Sequence, residues 1–492
     1  MFKRIFSDAV VYGSARVLMM GVSVFLVPIY SRHFSLGDYG VIETFNLFIN
    51  LVLLIIPSGI AQSMFRLVYT IKTKEEQSVF YSTILHYYLM LALVFASIAI
   101  LFSGFFTDAL IQDRQYQKIF IAACLTIVFQ LLNSYNQDLL RSQFEKWKYL
   151  VLSVGTVIFL ASGGIYTVLV LGMGVKGFFY VAAFTHCLFF LLGFLINYKW
   201  FSLKFSKKNL NELIRLGLPF IPAGLSLALM KFLDRIVVQR VMGDGHLSGL
   251  DYLGLYAMAI KVSVLFDIIS QAFSSAWFPW AMKIATEEDA KEQYRGLFLK
   301  VLLALTFAVF CFALVSKEIL HILVDSKFWA CLPMIPILLL GTLLNTSNYV
   351  IGSGIYASGK TKYISIPPIV GGLVNLLFCW LFAVYFGLVG VAFSVVMGSF
   401  AYLSTSYFIS QKHYPINYSI GKGFLVLTAL IAFMFAIHWV DSLSVQISYV
   451  EFGLKIILFF VAVVLIFLSR VYSFGEIENV LNKFVFSKLK RK

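Results

Sequence analysis

The sequence predicts an all-α integral membrane protein of about fourteen transmembrane helices: two parallel six-helix repeats followed by two extra C-terminal helices. Three observations predict it. Of 492 residues, 60% are hydrophobic and only 13% are Asp, Glu, Lys or Arg, whereas a soluble domain carries about a quarter charged residues. Apolar runs of about 20 residues recur along the whole chain, each long enough to cross a bilayer as a helix. Short motifs also return at one shared offset. Leu36-Gly37-Asp38-Tyr39-Gly40 is echoed by Leu250-Asp251-Tyr252-Leu253-Gly254, Lys148-Tyr149 by Lys362-Tyr363, and Gly174-Val175-Lys176-Gly177 by Gly387-Leu388-Val389-Gly390. The offset is about 213 residues (251 − 38), the signature of an internal duplication.

Taken in order, the apolar runs are Asp8–Tyr30, Gly40–Ile60, Phe80–Phe102, Ile119–Leu140, Tyr149–Leu171 and Gly177–Tyr198 in the first repeat. The second repeat has Leu216–Gln239, Tyr252–Ser274, Leu299–Val315, Leu332–Ile355, Ile364–Phe386 and Val389–Ile409. Phe424–Val440 and Phe452–Leu468 follow. An even number of crossings per repeat makes the two copies parallel, and the interface of such repeats is where transporters bind cargo. This gives four regions: 1–213 and 214–411 as six-helix lobes, 412–470 as the two added helices, and 471–492 as a basic amphipathic tail.

The net charge is +15, but the basic residues are scattered between apolar spans, which argues against a nucleic-acid partner. They fit the positive-inside rule. With both termini in the cytoplasm, the inner segments hold roughly three times as many Lys and Arg as the outer loops. Two segments are expected to lie on the inner surface. Thr286-Glu287-Glu288-Asp289 has the form of a capped helix start before Tyr294 and Leu297. Phe474, Ile477, Leu481, Phe484 and Val485 recur at helical spacing before a basic end, which suits an interfacial helix or a simple topology-fixing tail.

No loop is long enough to form a soluble domain, and no Gly-rich phosphate loop ending in Gly-Lys-Ser/Thr occurs, so ATP hydrolysis and cofactor chemistry are not expected. Cys124, Cys187, Cys311, Cys331 and Cys379 sit in or beside apolar runs without metal-ligand spacing and are expected to be packed thiols, with no metal site.

Charged groups inside spans carry the functional signal, because each costs about 2.5–3.5 kcal/mol at a helix centre on insertion scales. After assignment of loops, four cations remain: Arg16, Lys231, Arg235 and Lys261. Lys231, Asp234 and Arg235 share one helical face. Asp234 neutralises one neighbour, which leaves a net positive wall suited to a phosphate or diphosphate. In the alternative, Asp234 and Arg235 form a structural pair at the span 7–8 turn, and Lys261 snorkels. Asp267 is a candidate counter-ion for Lys261. Glu43, Asn46 and Asn50 share a face of span 2 and are candidates to line the cleft. Asp138 and Arg141 are one turn apart and read as a structural pair. His86, His186 and His438 lie in spans, where proton coupling and simple packing are both open.

Pro28-Ile29-Tyr30-Ser31-Arg32 followed by Leu36-Gly37-Asp38-Tyr39-Gly40 resembles the span 1–2 junction of the polysaccharide (O-antigen) flippases. These belong to the multidrug/oligosaccharidyl-lipid/polysaccharide exporter superfamily. Leu218-Pro219, Leu233-Asp234-Arg235-Ile236, Gly254-Leu255-Tyr256 and Ala276-Trp277-Phe278-Pro279 are similar to that family's second-half pattern. Ala357-Ser358-Gly359-Lys360-Thr361-Lys362 is similar to its loop 10–11. The resemblance implies a V-shaped pair of lobes with a cationic cavity. It implies a flippase, not an enzyme, that carries an undecaprenyl-diphosphate-linked oligosaccharide from the inner to the outer leaflet of the bacterial inner membrane by alternating access. The diphosphate would meet Arg16, Lys231, Arg235 and Lys261. Partners would be the lipid-linked oligosaccharide, bilayer lipid and a polysaccharide polymerase. The glycan, the coupling ion and the oligomeric state stay open.

A cation-coupled multidrug exporter of the same superfamily shares this architecture but calls for an acidic cavity. A membrane polysaccharide polymerase or glycosyltransferase calls for a sizeable outer loop, which the sequence does not offer. A major-facilitator carrier would show a Gly- and Arg-rich loop 2–3 that is missing around Arg66–Gln77.

Overall fold

The computed structural model describes residues 21–468, apart from 58, 219, 244–245, 286, 359, 361–362 and 444–447, and apart from the side chains of 223, 227, 229–231, 276, 279 and 467–468. The described residues are helical, with no strand among them. Eleven helices among them are long and apolar enough to cross a membrane. One of these, Ile366–His413, holds two of the expected spans. Its 48 residues run through Gly387, whose φ of 60° and ψ of −147° break the helix between the eleventh and twelfth apolar runs. The expected count of fourteen is not established by this number. The first span is described only over helix α1, residues 21–33, and the seventh, Phe220–Val241, carries four charged residues and falls outside the eleven. The basic tail at 471–492 lies outside the described residues.

The repeat is visible in local structure. Ser35 caps α2 (Leu36–Ile55), and its side chain and backbone N–H engage Asp38 reciprocally at 3.1 and 3.0 Å. Ser248 and Asp251 make the same box at 3.2 and 2.9 Å at the start of α11 (Gly249–Ile284). Reciprocal capping satisfies two orphan N–H donors at each helix start. Gly174 and Gly387, also matched by the repeat, both have positive φ (55° and 60°), a conformation that side-chain-bearing residues resist.

The chain divides into two compact units. The first takes in residues up to 258 together with 323–330 and 376–391. Its centre is α6 (Gln117–Ser142), which packs on α2, on α4 (Lys74–Leu101), on α7 (Lys146–Ile165) and on α8 (Gly174–Asn197). Polar groups help to set these contacts. Asn136 donates to the Phe190 carbonyl at 3.1 Å, and Asn197 donates to the Asn136 side-chain oxygen at 3.3 Å. Gly193 leaves room for Asn136. Short segments α3 (Ile60–Leu67), α5 (Ser103–Leu110) and α9 (Lys207–Gly217) border the bundle, and α10 (Phe220–Val241) packs on α2. The compact unit thus extends past residue 213 to include α10 and the first turns of α11.

The second unit takes in 259–322, 331–375 and residues from 392 onward. Here α12 (Ala290–Leu314) is central, flanked by α14 (Met334–Ile351), α17 (Ile420–Ser442) and α18 (Tyr449–Leu468). Segments α13 (Ser316–Leu323) and α15 (Ser353–Ala357) are short, and the bent helix α16 (Ile366–His413) gives this unit its two ends, 366–375 and 392–413. An aromatic core of Trp277, Tyr294, Phe298 and Tyr418 holds the unit, with the Trp277 indole donating to the Tyr349 carbonyl at 2.9 Å. The expected surface segment near Tyr294 and Leu297 is instead the first part of α12, continuous with the ninth span. The physical reason is packing: Tyr294 is fully buried in this core, so the stretch that carries it belongs to the bundle.

Large apolar side chains cover the outer faces of both units, among them Phe184, Leu195, Tyr385, Phe435 and Phe460. On spanning helices such exposure meets acyl chains at no hydrophobic cost.

Candidate functional site

Helix α2 presents Glu43, Asn46 and Asn50 at i, i+3 and i+7, along one side of the helix. The structure gives this side two different neighbours within the first unit. Glu43 turns toward α10, where its Oε1 lies 2.8 Å from Arg235 Nε. On the same interface, Thr44 donates to Gln239 at 3.1 Å. Gln239 and Arg240 in turn donate to the carbonyls of Leu110 and Ala109.

Asp234 completes the charged site. Its Oδ1 accepts from the Arg235 backbone N–H at 2.9 Å, and its Oδ2 accepts from the Tyr256 hydroxyl on α11. The Arg235 guanidinium is 3.9 Å from Asp234 Oδ1 and packs over the Phe232 ring at 5.3 Å. Asp234 is 3% exposed and Arg235 8%. Helical spacing puts Asp234 and Arg235 together and leaves Glu43 separate. The fold gathers all three into one buried network of two carboxylates and one guanidinium. Arg235 therefore faces two carboxylates, and Asp234 ties α10 to α11.

Asn46 and Asn50 point elsewhere. They line a pocket of about 350 Å³ inside the first unit, bounded also by Ser23, Tyr30, Thr126, Gln130, Phe178, Phe179 and His186. Gly164 admits the Tyr30 hydroxyl to this wall, where a methyl group would collide with it. His186 lies 3.4 Å from the Asn133 amide, which also reaches the Thr156 hydroxyl at 3.3 Å. Side chains that both donate and accept hydrogen bonds dominate the polar part of the lining, and no carboxylate or ammonium group is among its described members.

Comparison with known proteins agrees with this architecture. Residues 29–333 match the family described as "Polysaccharide biosynthesis protein", which is more than half of the chain. The chain belongs to this polysaccharide biosynthesis protein family. It is 20% identical over 425 residues to "Lsg locus putative protein 1" of Haemophilus influenzae, covering 83% of this chain and 98% of that protein. Among solved structures it resembles the "Lipid II flippase MurJ, inward closed conformation", with a TM-score of 0.71 at 14% identity over 95% of this chain and 100% of that one. It also resembles the inward-facing conformation of a multidrug resistance MATE family transporter of the MOP superfamily, with a TM-score of 0.63 at 15% identity over 84% and 95% of the two chains. At these identities the two structures establish a shared fold. The fold is one that this chain shares with a membrane flippase and a membrane transporter.

The other site residues expected for this family member are distributed as follows. Arg16 lies outside the described residues, and so does the side chain of Lys231, whose backbone is part of α10. Lys261 and Asp267 are half-buried on α11 within the second unit. Asp138 pairs with Arg141 at 3.5 Å, near Phe65. Among the described residues, no group of three or more His, Cys, Asp or Glu is arranged to hold a metal ion.

The four cations assigned to spans from hydropathy leave out a fifth. Lys455 lies in α18, where its ammonium is 2.8 Å from Asp441, 2.8 Å from Glu318 and 3.2 Å from Glu451. Lys317 joins the same cluster, 2.8 Å from Glu451. The signal is present in the sequence as Glu451 and Lys455 at i, i+4 in an otherwise apolar run.

Proposed function

We propose that the protein is a flippase that carries an undecaprenyl-diphosphate-linked oligosaccharide repeat unit across the bacterial inner membrane, from inner to outer leaflet, for surface polysaccharide synthesis of the O-antigen or capsule type. Family membership supports the cargo class. The observation that carries the reading is the polar pocket of the first unit, whose described lining holds no carboxylate, ammonium or guanidinium group. Sugar hydroxyls donate and accept at once, as do the amides of Asn46, Asn50 and Gln130 and the hydroxyls of Ser23 and Thr126. The aromatic rings of Tyr30, Phe178 and Phe179 supply apolar surface for the faces of a pyranose.

The physical problem for such cargo is asymmetric. The prenyl tail gains about 0.8 kcal/mol for each CH₂ kept in lipid, so it stays in the bilayer. The diphosphate and sugars cannot cross hydrocarbon unaided, so the protein supplies polar partners. We assign the diphosphate to Arg16, Lys231 and Lys261, with Asp267 as a counter-charge. Arg235 joins them by exchanging Glu43 for phosphate, since its guanidinium is held by carboxylates otherwise. The step is transport by alternating access, with no covalent change. The flipped unit then serves a polymerising enzyme at the outer leaflet. Both termini are assigned to the cytoplasm from the distribution of Lys and Arg.

A cation-coupled multidrug exporter is the second reading. It is favoured by the excess of carboxylate over guanidinium around Arg235. The two readings separate in cells that lack the chromosomal copy. Arg16→Ala, Lys231→Ala and Lys261→Ala variants, at wild-type protein level, are expected to lower surface polysaccharide at least tenfold while leaving resistance to organic cations unchanged. Full export by all three variants contradicts the diphosphate assignment, and loss of cation resistance alone favours the exporter.

A further inference from the structure

A cluster of buried charges on α13, α17 and α18 belongs to no part of the transport site described above, and its arithmetic is uneven. Lys317 and Glu318 sit on α13, Asp441 ends α17, and Glu451 and Lys455 open α18. The Lys317 ammonium bonds Glu451 Oε2 at 2.8 Å and the Asp441 carbonyl at 3.1 Å. The Lys455 ammonium gathers Asp441 Oδ1, Glu318 Oε1 and Glu451 Oε1. The side chains of Lys317, Lys455, Asp441 and Glu451 are 0–6% exposed, and that of Glu318 is 20% exposed. Among the described residues, three carboxylates thus meet two ammonium groups.

An uncompensated buried charge costs several kcal/mol even after relaxation. A carboxylate in that position takes up a proton instead, above all where a second carboxylate is adjacent. Among the described residues, the other groups near the cluster do not restore the balance as fixed charges. His321, one turn beyond Lys317 on α13, is half-buried and titratable, and His438, one turn before Asp441 on α17, is exposed. Helix α12 packs against both α17 and α18, and between 303 and 314 it offers the Cys311 thiol and no charged residue.

We propose that this cluster is a proton-binding site, holding one proton on the Asp441 and Glu451 carboxylates that flank Lys455. Loss of the proton leaves a net negative charge between α13 and the α17–α18 pair, so occupancy sets how firmly that pair is held. The ligand is a proton, because the two lysine heads already occupy the centre that a metal ion would need.

The test is infrared difference spectroscopy of the full chain in lipid at neutral pH, read at the carbonyl stretch of protonated carboxylic acids. The wild type minus Glu318→Gln spectrum is expected to show one such band per chain. Removing the Glu318 charge leaves two carboxylates for two ammonium groups, and the proton is no longer required. Asp441→Asn should abolish the same band. Glu318 is partly exposed, so its variant is the one expected to fold normally; thermal unfolding checks this. Absence of the band from the wild type overturns the proposal. So does a band unchanged in both variants, a band lost only in His321→Gln, or a band that disappears when sodium replaces potassium.

Discussion

The buried Arg235 is a point where transport and stability are easily confused. Its guanidinium serves Glu43 from α2 and Asp234 from its own helix. Removing one member of such a buried pair strands the other and costs about 3–5 kcal/mol, while removing both is far milder. Arg235→Gln is therefore expected to lower the unfolding midpoint in detergent sharply, and Glu43→Gln/Arg235→Gln to recover the part that comes from the stranded Glu43, while Asp234 keeps its Tyr256 donor. If the double variant is as unstable as the single one, the pair is not the source of the effect. Tyr256→Phe removes the hydroxyl donor to Asp234 and should cost about 1.5–3 kcal/mol, the range for hydrogen bonds to charged groups. The Asp234–Arg235 face is legible in the sequence because helical spacing sets it. The Glu43 partner is not, since it lies on another helix far along the chain and meets Arg235 only through packing. Lys455 escapes a sequence reading for a related reason: two of its three carboxylates come from α13 and α17, so no local pattern announces that its charge is compensated.

The elements show why the duplication can be read and where helix counting cannot. The Ser35–Asp38 and Ser248–Asp251 boxes give both repeats the same kind of helix start, and hydrogen-bonding residues at fixed spacing are what a short motif preserves. The two starts also meet. A methyl group on Gly40 would run into the Leu250 carbonyl, and one on Gly254 into the Leu36 carbonyl. Close backbone approach of this kind needs small residues. Gly40→Ala and Gly254→Ala are each expected to destabilise the first unit by about 1–3 kcal/mol, the usual cost of overpacking. Ser35→Ala should cost about 1 kcal/mol through loss of the cap. Unfolding midpoints are the readout, and a glycine variant as stable as wild type would show that α2 and α11 do not depend on this contact. Helix number is less legible, because an apolar run does not reveal whether the helix behind it is one body or two. Helix α16 continues past Gly387 because helical geometry resumes at once on the far side of a single residue with positive φ.

At the scale of the whole molecule, a fold shared with a flippase and a transporter carries a pocket lined by amides, hydroxyls and aromatic rings, to which the proposed function assigns the glycan. The fold class is legible because hydropathy and the offset of the repeat are properties of the entire chain. The pocket is legible only in part: Asn46 and Asn50 can be placed on one face of α2, but Gln130 and His186 come from other spans and are gathered by packing around α6. If the pocket receives the glycan, Asn46→Ala, Asn50→Ala and Gln130→Ala should lower transport of a sugar-bearing lipid while sparing unfolding midpoints, because these side chains face the cavity. The most direct measurement uses the purified protein in liposomes that hold a prenyl-diphosphate-linked oligosaccharide on one leaflet, with appearance of the sugar on the other followed by its accessibility to an added glycosidase. The account predicts transfer by the wild type, reduced at least tenfold in the Asn46→Ala/Gln130→Ala double variant. No transfer under an imposed proton or sodium gradient, in preparations that move organic cations, would contradict it.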